Sequence, residues 1–158
     1  MATRSFIGKT QSDGQIKSIY CHWDGHLEHN GAMLQCFYQD EYKIDALLDN
    51  GDLSALGIEV GVSHDWEEFD TKTCTFYHRD RGESKEETKA KIFATEADFL
   101  ESAHDNWTEF VYLRKEGIWF YQQTRYGPPW VALNDVTQMK DWVAAHQASL
   151  NLCTIAQS

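Results

Sequence analysis

The chain has 158 residues, of which 42% are hydrophobic and 13% aromatic, so it can fold around a core and is not intrinsically disordered. Its net charge is −11 at pH 7 and its pI is near 4.9, which excludes a surface that attracts nucleic acid or anionic membranes and favours basic partners. Four widely and irregularly spaced cysteines argue against a disulfide framework, and we expect neither a signal peptide nor a membrane-spanning helix.

The N-terminal third predicts a β-hairpin followed by helices. Two strand-forming segments, Ser5–Thr10 and Gln15–Trp23, flank Asp13-Gly14, which supplies the positive φ of a tight turn. The predicted helices are Ala32–Tyr38, Glu41–Leu48 and one short turn at Asp52–Leu56. Asp40 can cap the second helix, and Asn50-Gly51 can end it.

The middle third predicts loops, two strands and one helix. The segments are an acidic loop at Gly61–Asp70, a strand at Thr73–His78, a turn or long loop at Arg79–Thr88 and a short strand at Lys91–Ala94. Thr95 and Asp98 have the spacing of a capping box, which opens a helix that buries Phe99 and Leu100.

The C-terminal third predicts a second hairpin and a long helix. Glu109–Leu113 and Ile118–Gln122 carry apolar residues on both faces, so this hairpin should be central in the sheet. Asp135 and Gln138 have capping-box spacing before the helix. Residues at helical intervals follow at Val136, Met139, Val143, His146 and Leu150. The sequence therefore predicts one acidic α+β domain over residues 1–158, with a mostly antiparallel sheet built from hairpins and packed against three to four helices.

The densest group of metal-ligand residue types is Cys21, His22, His26 and His29. Cys21 and His22 are adjacent on a predicted strand, so their side chains should point to opposite faces. The same geometry argues against a Cys–His nucleophile pair. We therefore expect no metal and no cofactor, with Tyr20 and His22 on one face and Cys21 and Trp23 packed on the other.

The acidity is concentrated in one region. Ile58–Asn106 contains thirteen acidic and six basic residues and carries −7 of the total charge, whereas the C-terminal third is balanced. This distribution predicts a charged face. Its candidate partner-binding residues are Asp65, Glu67, Glu68, Asp70, Glu96, Asp98, Glu101 and Asp105.

The string His78–Glu83 places two arginines, an aspartate and a glutamate beside a predicted strand end. The guanidinium groups of Arg79 and Arg81 could hold a carboxylate or a phosphate in bidentate fashion. The alternative is an internal ion-pair network, including Asp80, that fixes the turn.

Two parts of the sequence together carry a resemblance: Ser18–Gly25, followed by Leu47–Gly57, and Phe76–Glu83. With the Tyr-Cys-His-Trp-Asp-Gly string at residues 20–25 and Arg-Asp-Arg-Gly-Glu at 79–83, the chain resembles a family of small phage- and prophage-encoded proteins. The resemblance covers roughly the first two-thirds of the chain. The family has an aromatic residue where His26 stands, which argues against a metal role for His26, and it implies a mobile-element setting without a transferable activity.

Two functions follow as hypotheses. The first is a non-enzymatic phage-type accessory protein in the host cytoplasm. It would inhibit or modulate a host protein that has a basic groove, such as a nucleic-acid-acting defence enzyme. Its acidic face would mimic DNA in that groove. It would contact neither nucleic acid nor membrane itself and would be a monomer or homodimer. A groove that binds about one phosphate per 1.7 Å of duplex also accepts a suitably spaced row of carboxylates.

The alternative is a small-ligand-binding or hydrolytic domain. Its site would join the first string to the second beside a cleft, with His22, Asp24, Arg79, Asp80 and Arg81 in catalytic or binding roles next to Tyr20. A third option, a scaffold or dimerisation module, rests on the aromatic residues Trp107, Trp119, Trp130 and Trp142.

Overall fold

The structure is a computed structural model that describes residues 2–65, 67 and 72–157, with side chains described as far as residue 149. The strands are β1 (Ser5–Thr10), β2 (Ile16–Cys21), β3 (Leu53–Ala55), β4 (Thr75–Phe76), β5 (Lys91–Phe93), β6 (Phe110–Lys115), β7 (Ile118–Gln123) and β8 (Val131–Ala132). The helices are α1 (Ala32–Phe37), α2 (Glu41–Asp49), α3 (Lys85–Thr88), α4 (Glu96–Asp105) and α5 (Met139–Gln157), with a π-helical turn at Leu27–Gly31 and a 3₁₀ turn at Leu133–Asp135.

The eight strands of the described residues belong to one sheet, ordered β4-β3-β2-β1-β6-β7-β8, with β5 pairing the beginning of β2. β1 is parallel to β6 and β2 is parallel to β3, while the other pairings between these strands are antiparallel. The predicted α+β class with a mostly antiparallel sheet is confirmed. β6 lies between β1 and β7, which confirms the central position of the second hairpin.

The sheet has a core on each face. On one face, buried strand side chains pack together with α1, α2 and α5. These strand residues include Ile7, Ile19, Tyr112 and Trp119. On the other face, α4 places Phe99 and Ala103 against Phe6, Ile16 and Val111. Burying each large apolar side chain contributes about 1.5 to 3 kcal/mol, so the two cores fix the sheet that carries the sites below.

The helix caps predicted at Asp40 and Thr95 are present in the structure. The Asp40 side chain accepts a hydrogen bond from Tyr42 N at 2.9 Å, and Thr95 Oγ1 accepts one from Asp98 N at 3.1 Å. Gly51 follows α2 with φ +82°, as predicted for the end of that helix. None of the described helices is long and apolar enough to cross a bilayer.

The prediction of a helical turn at Asp52–Leu56 is wrong, because this segment contains β3. Leu53, Ala55 and Leu56 are buried, and the backbone pairs with the end of β2. His22 N donates to Leu53 O at 3.1 Å. A partner distant in sequence therefore satisfies backbone groups that a short helix would have left to solvent.

Three other elements have boundaries that differ from those predicted. Of the predicted strand Thr73–His78, only Thr75–Phe76 is β4, because the chain turns immediately afterwards. The predicted loop Arg79–Thr88 ends in the single turn of α3. Asp135 lies in the 3₁₀ turn rather than at the cap of the last helix, which begins at Met139.

Candidate functional site

A cleft of about 660 Å³ opens where β2, β3 and β4 meet at one end of the sheet. Its lining residues are Trp23, Asp24, Ser54, Ala55, Glu67, Thr75 and Arg81. Because β2 and β3 are parallel, the chain leaves both strands at this end, and antiparallel β4 begins there. The first and second sequence strings therefore meet beside a cleft.

The turn after β2 holds Asp24 in a left-handed conformation, with φ 58°. Asp24 O accepts a hydrogen bond from Asn30 N at 3.1 Å, and Gly25 N donates to Thr3 O at 2.8 Å. A Cβ at Gly25 would come within 2.7 Å of Thr3 O, so the turn is tightly enclosed there. A non-glycine residue in this region costs about 1 kcal/mol or more, so the fold holds the exposed Asp24 at the cleft against a local preference.

The Trp23 side chain does not pack beside Cys21 as predicted. Trp23 lies beyond the end of β2 and is 45% exposed, whereas Cys21 is fully buried. The rings of His22 and Trp23 make an edge contact at 4.7 Å between centroids, and His22 Nδ1 is hydrogen-bonded to Tyr20 Oη at 2.8 Å. Burial, followed by the charges of Arg4 and Arg81, lowers the pKa of His22 and so favours its neutral ring.

Arg81 reaches the cleft from the turn after β4. Its guanidinium carbon lies 5.0 Å from the centroid of the Tyr77 ring, and its Nη1 donates a long hydrogen bond of 3.4 Å to Ser54 Oγ. The residue as a whole is exposed. Arg81 therefore has a preferred position at the cleft, where the residue is in contact with solvent.

Arg79 and Asp80 form the internal network that was the alternative to a ligand site. Arg79 Nη1 donates to Val60 O at 2.9 Å and to Gly61 O at 3.0 Å, while its Nη2 donates to Cys74 O at 3.0 Å. Arg79 Nε donates to Asp80 Oδ1 at 3.0 Å.

The carboxylate of Asp80 is enclosed in the same network. Its side chain is fully buried and also accepts hydrogen bonds from Phe76 N at 2.8 Å and His64 N at 3.1 Å. Burial alone would raise the pKa of Asp80, but the bonds from Arg79 and these two amides outweigh it and lower that pKa. Arg79 and Asp80 therefore hold the loop after β3 onto β4, which favours the internal network over a ligand-binding role for these two residues.

Thr75 gives the cleft a polar group without a partner. The residue is 4% exposed, and its hydroxyl finds no hydrogen-bond partner among the described residues. An unsatisfied buried hydroxyl costs about 1 to 3 kcal/mol, so a ligand or ordered water that bonds to it would be favoured. Sequence reasoning missed Thr75 and Ser54, because only the pairing of β3 with β4 brings them to the strand ends.

The cysteines near the cleft are not activated. Burial raises the pKa of Cys21 to about 12, and its Sγ donates weakly to Trp23 O at 3.5 Å. Burial likewise raises the pKa of Cys74, whose Sγ accepts from Gly57 N at 3.2 Å. A thiolate is the reactive form of cysteine, so neither residue is a nucleophile at neutral pH.

The histidines of the N-terminal cluster pack without forming a metal site. His26 and His29 lie 6.3 Å apart between ring centroids, and His29 Nδ1 is hydrogen-bonded to Asn30 Oδ1 at 2.9 Å. Among the residues whose side chains are described, no three His, Cys, Asp or Glu groups converge closely enough to hold a metal ion.

The candidate acidic residues lie on two elements. Asp65 and Glu67 are exposed on the loop before β4, and Glu67 lines the cleft, while Glu68 and Asp70 lie outside the described residues. On α4, Asp98, Glu101 and Asp105 are exposed. The fourth candidate on this helix, Glu96, is paired with Lys115 at 3.1 Å.

The chain was compared with protein-family models, curated proteins and solved structures, and nothing in the three comparisons matches it.

Proposed function

We propose that this is a binding protein that recognises a small zwitterionic ligand in the cleft at the ends of β2, β3 and β4. The observation that carries the proposal is the convergence of Trp23, Asp24 and Arg81 on one space of about 660 Å³. Small-molecule sites occupy roughly 300 to 1,000 Å³ and combine apolar surface with a few placed polar groups. The cleft has this size and composition.

Arg81 would bind the anionic end of the ligand. Its planar guanidinium can donate two parallel hydrogen bonds to a carboxylate or phosphate, and each charged hydrogen bond contributes about 1.5 to 3 kcal/mol. The Tyr77 ring beneath it restricts the orientation of the guanidinium before binding. Less rotational freedom is then lost when the ligand arrives.

Asp24 and Glu67 would bind the cationic end, because carboxylates beside an arginine match a ligand that carries both charges. In the same cleft, the half-exposed indole of Trp23 offers a surface for an apolar or planar group. The Thr75 hydroxyl would gain its missing partner. An amino acid or the terminus of a peptide has this combination of groups.

Three related probes test the proposal by calorimetry: L-phenylalanine, 3-phenylpropionate, which lacks the amine, and phenethylamine, which lacks the carboxylate. L-phenylalanine should bind at least about tenfold more tightly than either analogue, since a lost charged contact costs about 1.4 kcal/mol or more. In Arg81→Ala, L-phenylalanine should lose its advantage over phenethylamine. Arg125→Ala is the matched control, because Arg125 is also an exposed arginine over a tyrosine ring, at 5.6 Å. Equal affinity for all three probes, or no effect of Arg81→Ala, would refute the proposal.

The acidic surface supports a second candidate function, the phage-type accessory protein that binds a host protein in the host cytoplasm. The supporting observation is the row of exposed carboxylates Asp98, Glu101 and Asp105 along α4, whose opposite side buries Phe99 and Ala103. A rise of 1.5 Å per residue separates the carboxylates by about 4.5 and 6 Å along the helix axis. A row with this spacing resembles a phosphate backbone to a basic groove.

The test is capture of basic, nucleic-acid-binding host proteins by the wild type and by Asp98→Asn/Glu101→Gln/Asp105→Asn. Glu116→Gln/Asp135→Asn/Asp141→Asn removes the same charge from exposed positions elsewhere and is the control. Capture should fall steeply with salt, be displaced by duplex DNA and be lost only in the α4 variant. Capture that is indifferent to salt would exclude nucleic-acid mimicry.

A further inference from the structure

A second cleft, of about 560 Å³, lies between the turn that joins α4 to β6 and the loop that follows β7. Residues 104, 105 and 107–110 line one side, and residues 123–126 line the other. None of these residues lines the cleft at Arg81. It is therefore a separate space, which the proposed function does not use.

Trp107 occupies the position after the α4 cap that normally suits glycine. Its φ is 58°, its N–H donates to His104 O at 3.2 Å, and Thr108 N donates to Ala103 O at 3.0 Å. These two bonds form a Schellman motif, in which this position is left-handed. A residue with a side chain is less stable than glycine in this conformation.

The Trp107 side chain gains little packing in return, because it is 81% exposed. Tyr126 faces the same cleft from the loop after β7 and is 70% exposed. Two large aromatic surfaces, one of them held in a strained backbone conformation, thus flank one concave space. Exposed aromatic side chains that do not serve the core are typical of binding surfaces.

The polar lining mixes hydrogen-bond donors and acceptors. Asp105 and Glu109 offer carboxylate oxygens, and Arg125 offers a guanidinium. Thr108 is 3% exposed, yet its hydroxyl has no hydrogen-bond partner in the described part of the chain. The buried hydroxyl of Thr124 also lacks a partner among these residues. The two hydroxyls belong to residues that line the cleft, and each can both donate and accept.

We propose that this cleft binds a carbohydrate, with a pyranose ring stacked on Trp107 and a second contact from Tyr126. The C–H bonds on one face of a pyranose carry partial positive charge, which suits the negative face of an aromatic ring. Its hydroxyl groups need donors and acceptors in equal measure, as Asp105, Glu109 and Arg125 together provide.

Ligands that carry charge of only one sign fit the same cleft less well. A simple cation would meet Arg125, which lies over the Tyr126 ring at 5.6 Å from its centroid. A simple anion would meet two carboxylates, Asp105 and Glu109. A neutral polyhydroxylated ligand avoids both repulsions and still uses every polar group.

Saturation-transfer NMR with D-glucose, D-galactose, D-mannose and N-acetyl-D-glucosamine tests the proposal. At least one of these pyranoses should give a saturable signal with an affinity on the order of millimolar. Trp107→Gly should abolish that signal and leave thermal stability unchanged or slightly raised, because glycine relieves the left-handed conformation. Tyr126→Ala should weaken the signal about tenfold.

Tyr42→Ala is the control, since Tyr42 is 87% exposed on α2 and lines neither cleft. Arg81→Ala should also leave the sugar signal intact, which separates this site from the proposed zwitterion site. Absence of signal for all four sugars, or a signal that survives both Trp107→Gly and Tyr126→Ala, overturns the proposal. A marked loss of stability in Trp107→Gly would also overturn it, because Trp107 would then be structural.

Discussion

Arg81 lies over the ring of Tyr77, with its guanidinium carbon 5.0 Å from the ring centroid, at the mouth of the cleft. Arg79, two residues earlier, lies over the ring of Phe76 at 4.6 Å but is enclosed by three backbone carbonyls and Asp80. One short string thus places one arginine in a part-buried hydrogen-bond network and one at the surface. The two should differ sharply in what their removal costs.

Arg79→Ala should lower the free energy of unfolding by about 3 to 5 kcal/mol, because it leaves the buried carboxylate of Asp80 without its charged partner. Arg81→Ala should lower it by less than about 1 kcal/mol, as expected for an exposed side chain. Urea denaturation of both variants measures the difference. Similar losses for the two variants would contradict the division between a structural and a ligand-facing arginine.

Asp24→Asn should separate ligand recognition from folding. Asparagine tolerates a positive φ, so the stability should stay within about 0.5 kcal/mol of the wild type. The variant loses the carboxylate that we assign to the ligand's amine. L-phenylalanine should therefore bind more weakly, whereas 3-phenylpropionate, which has no amine, should bind at least as well. A parallel loss for both ligands would show that Asp24 acts through the shape of the turn.

Asp52 should lower the free energy of unfolding as pH rises. An ordinary ion-paired carboxylate has the opposite effect. Burial raises the pKa of Asp52 to about 6, although the hydrogen bond from Tyr20 N and the charge of Lys91 oppose the shift. The folded state therefore holds a proton that the unfolded chain releases between about pH 4 and 6. Above that window Asp52 is also ionised in the folded state, and the burial of its charge lowers the free energy of unfolding.

Asp52→Asn removes this cost and keeps an oxygen for the bond from Tyr20 N. It should be more stable than the wild type by about 1 to 2 kcal/mol near pH 7.5, and the gain should vanish near pH 4. Urea denaturation at both pH values provides the comparison. A gain that is the same at both would mean that the charge of Asp52 is not its source.

His64 should stabilise the loop after β3 only while it is protonated. Its Nε2 lies 2.9 Å from Cys74 O and its Nδ1 lies 3.1 Å from Asp65 O, so both ring nitrogens can donate only in the charged form. The bond to Cys74 O, then that to Asp65 O and the charge of Asp80, outweigh burial and raise the pKa of His64 above 6.5. This contribution is fully present below the unfolded pKa and is lost as pH rises through the folded one.

His64→Gln should therefore destabilise the protein more at about pH 5.5 than at about pH 8.5. Titration of the His64 ring by NMR should also give a pKa above that of a free histidine. A pH-independent loss of stability would indicate that only the packing of His64 matters.

Local patterns in the sequence predict the first hairpin, the second hairpin and the caps at Asp40 and Thr95, because each depends on neighbouring residues. They fail at Leu53–Ala55, where pairing with β2 decides the conformation. They also cannot separate Arg79 from Arg81, since the turn after β4 determines which arginine faces inward. Likewise, Trp107 and Trp119 look alike in sequence, but the first is 81% exposed and the second is fully buried.

Mapping of amide chemical shifts during a titration with L-phenylalanine tests the central claim most directly. The largest changes should fall on the amides around Trp23, Ser54, Thr75 and Arg81, and they should disappear in Arg81→Ala but persist in Arg125→Ala. Saturable changes confined to other parts of the chain, or no saturable change at all, would contradict the assignment of this cleft as the ligand-binding site.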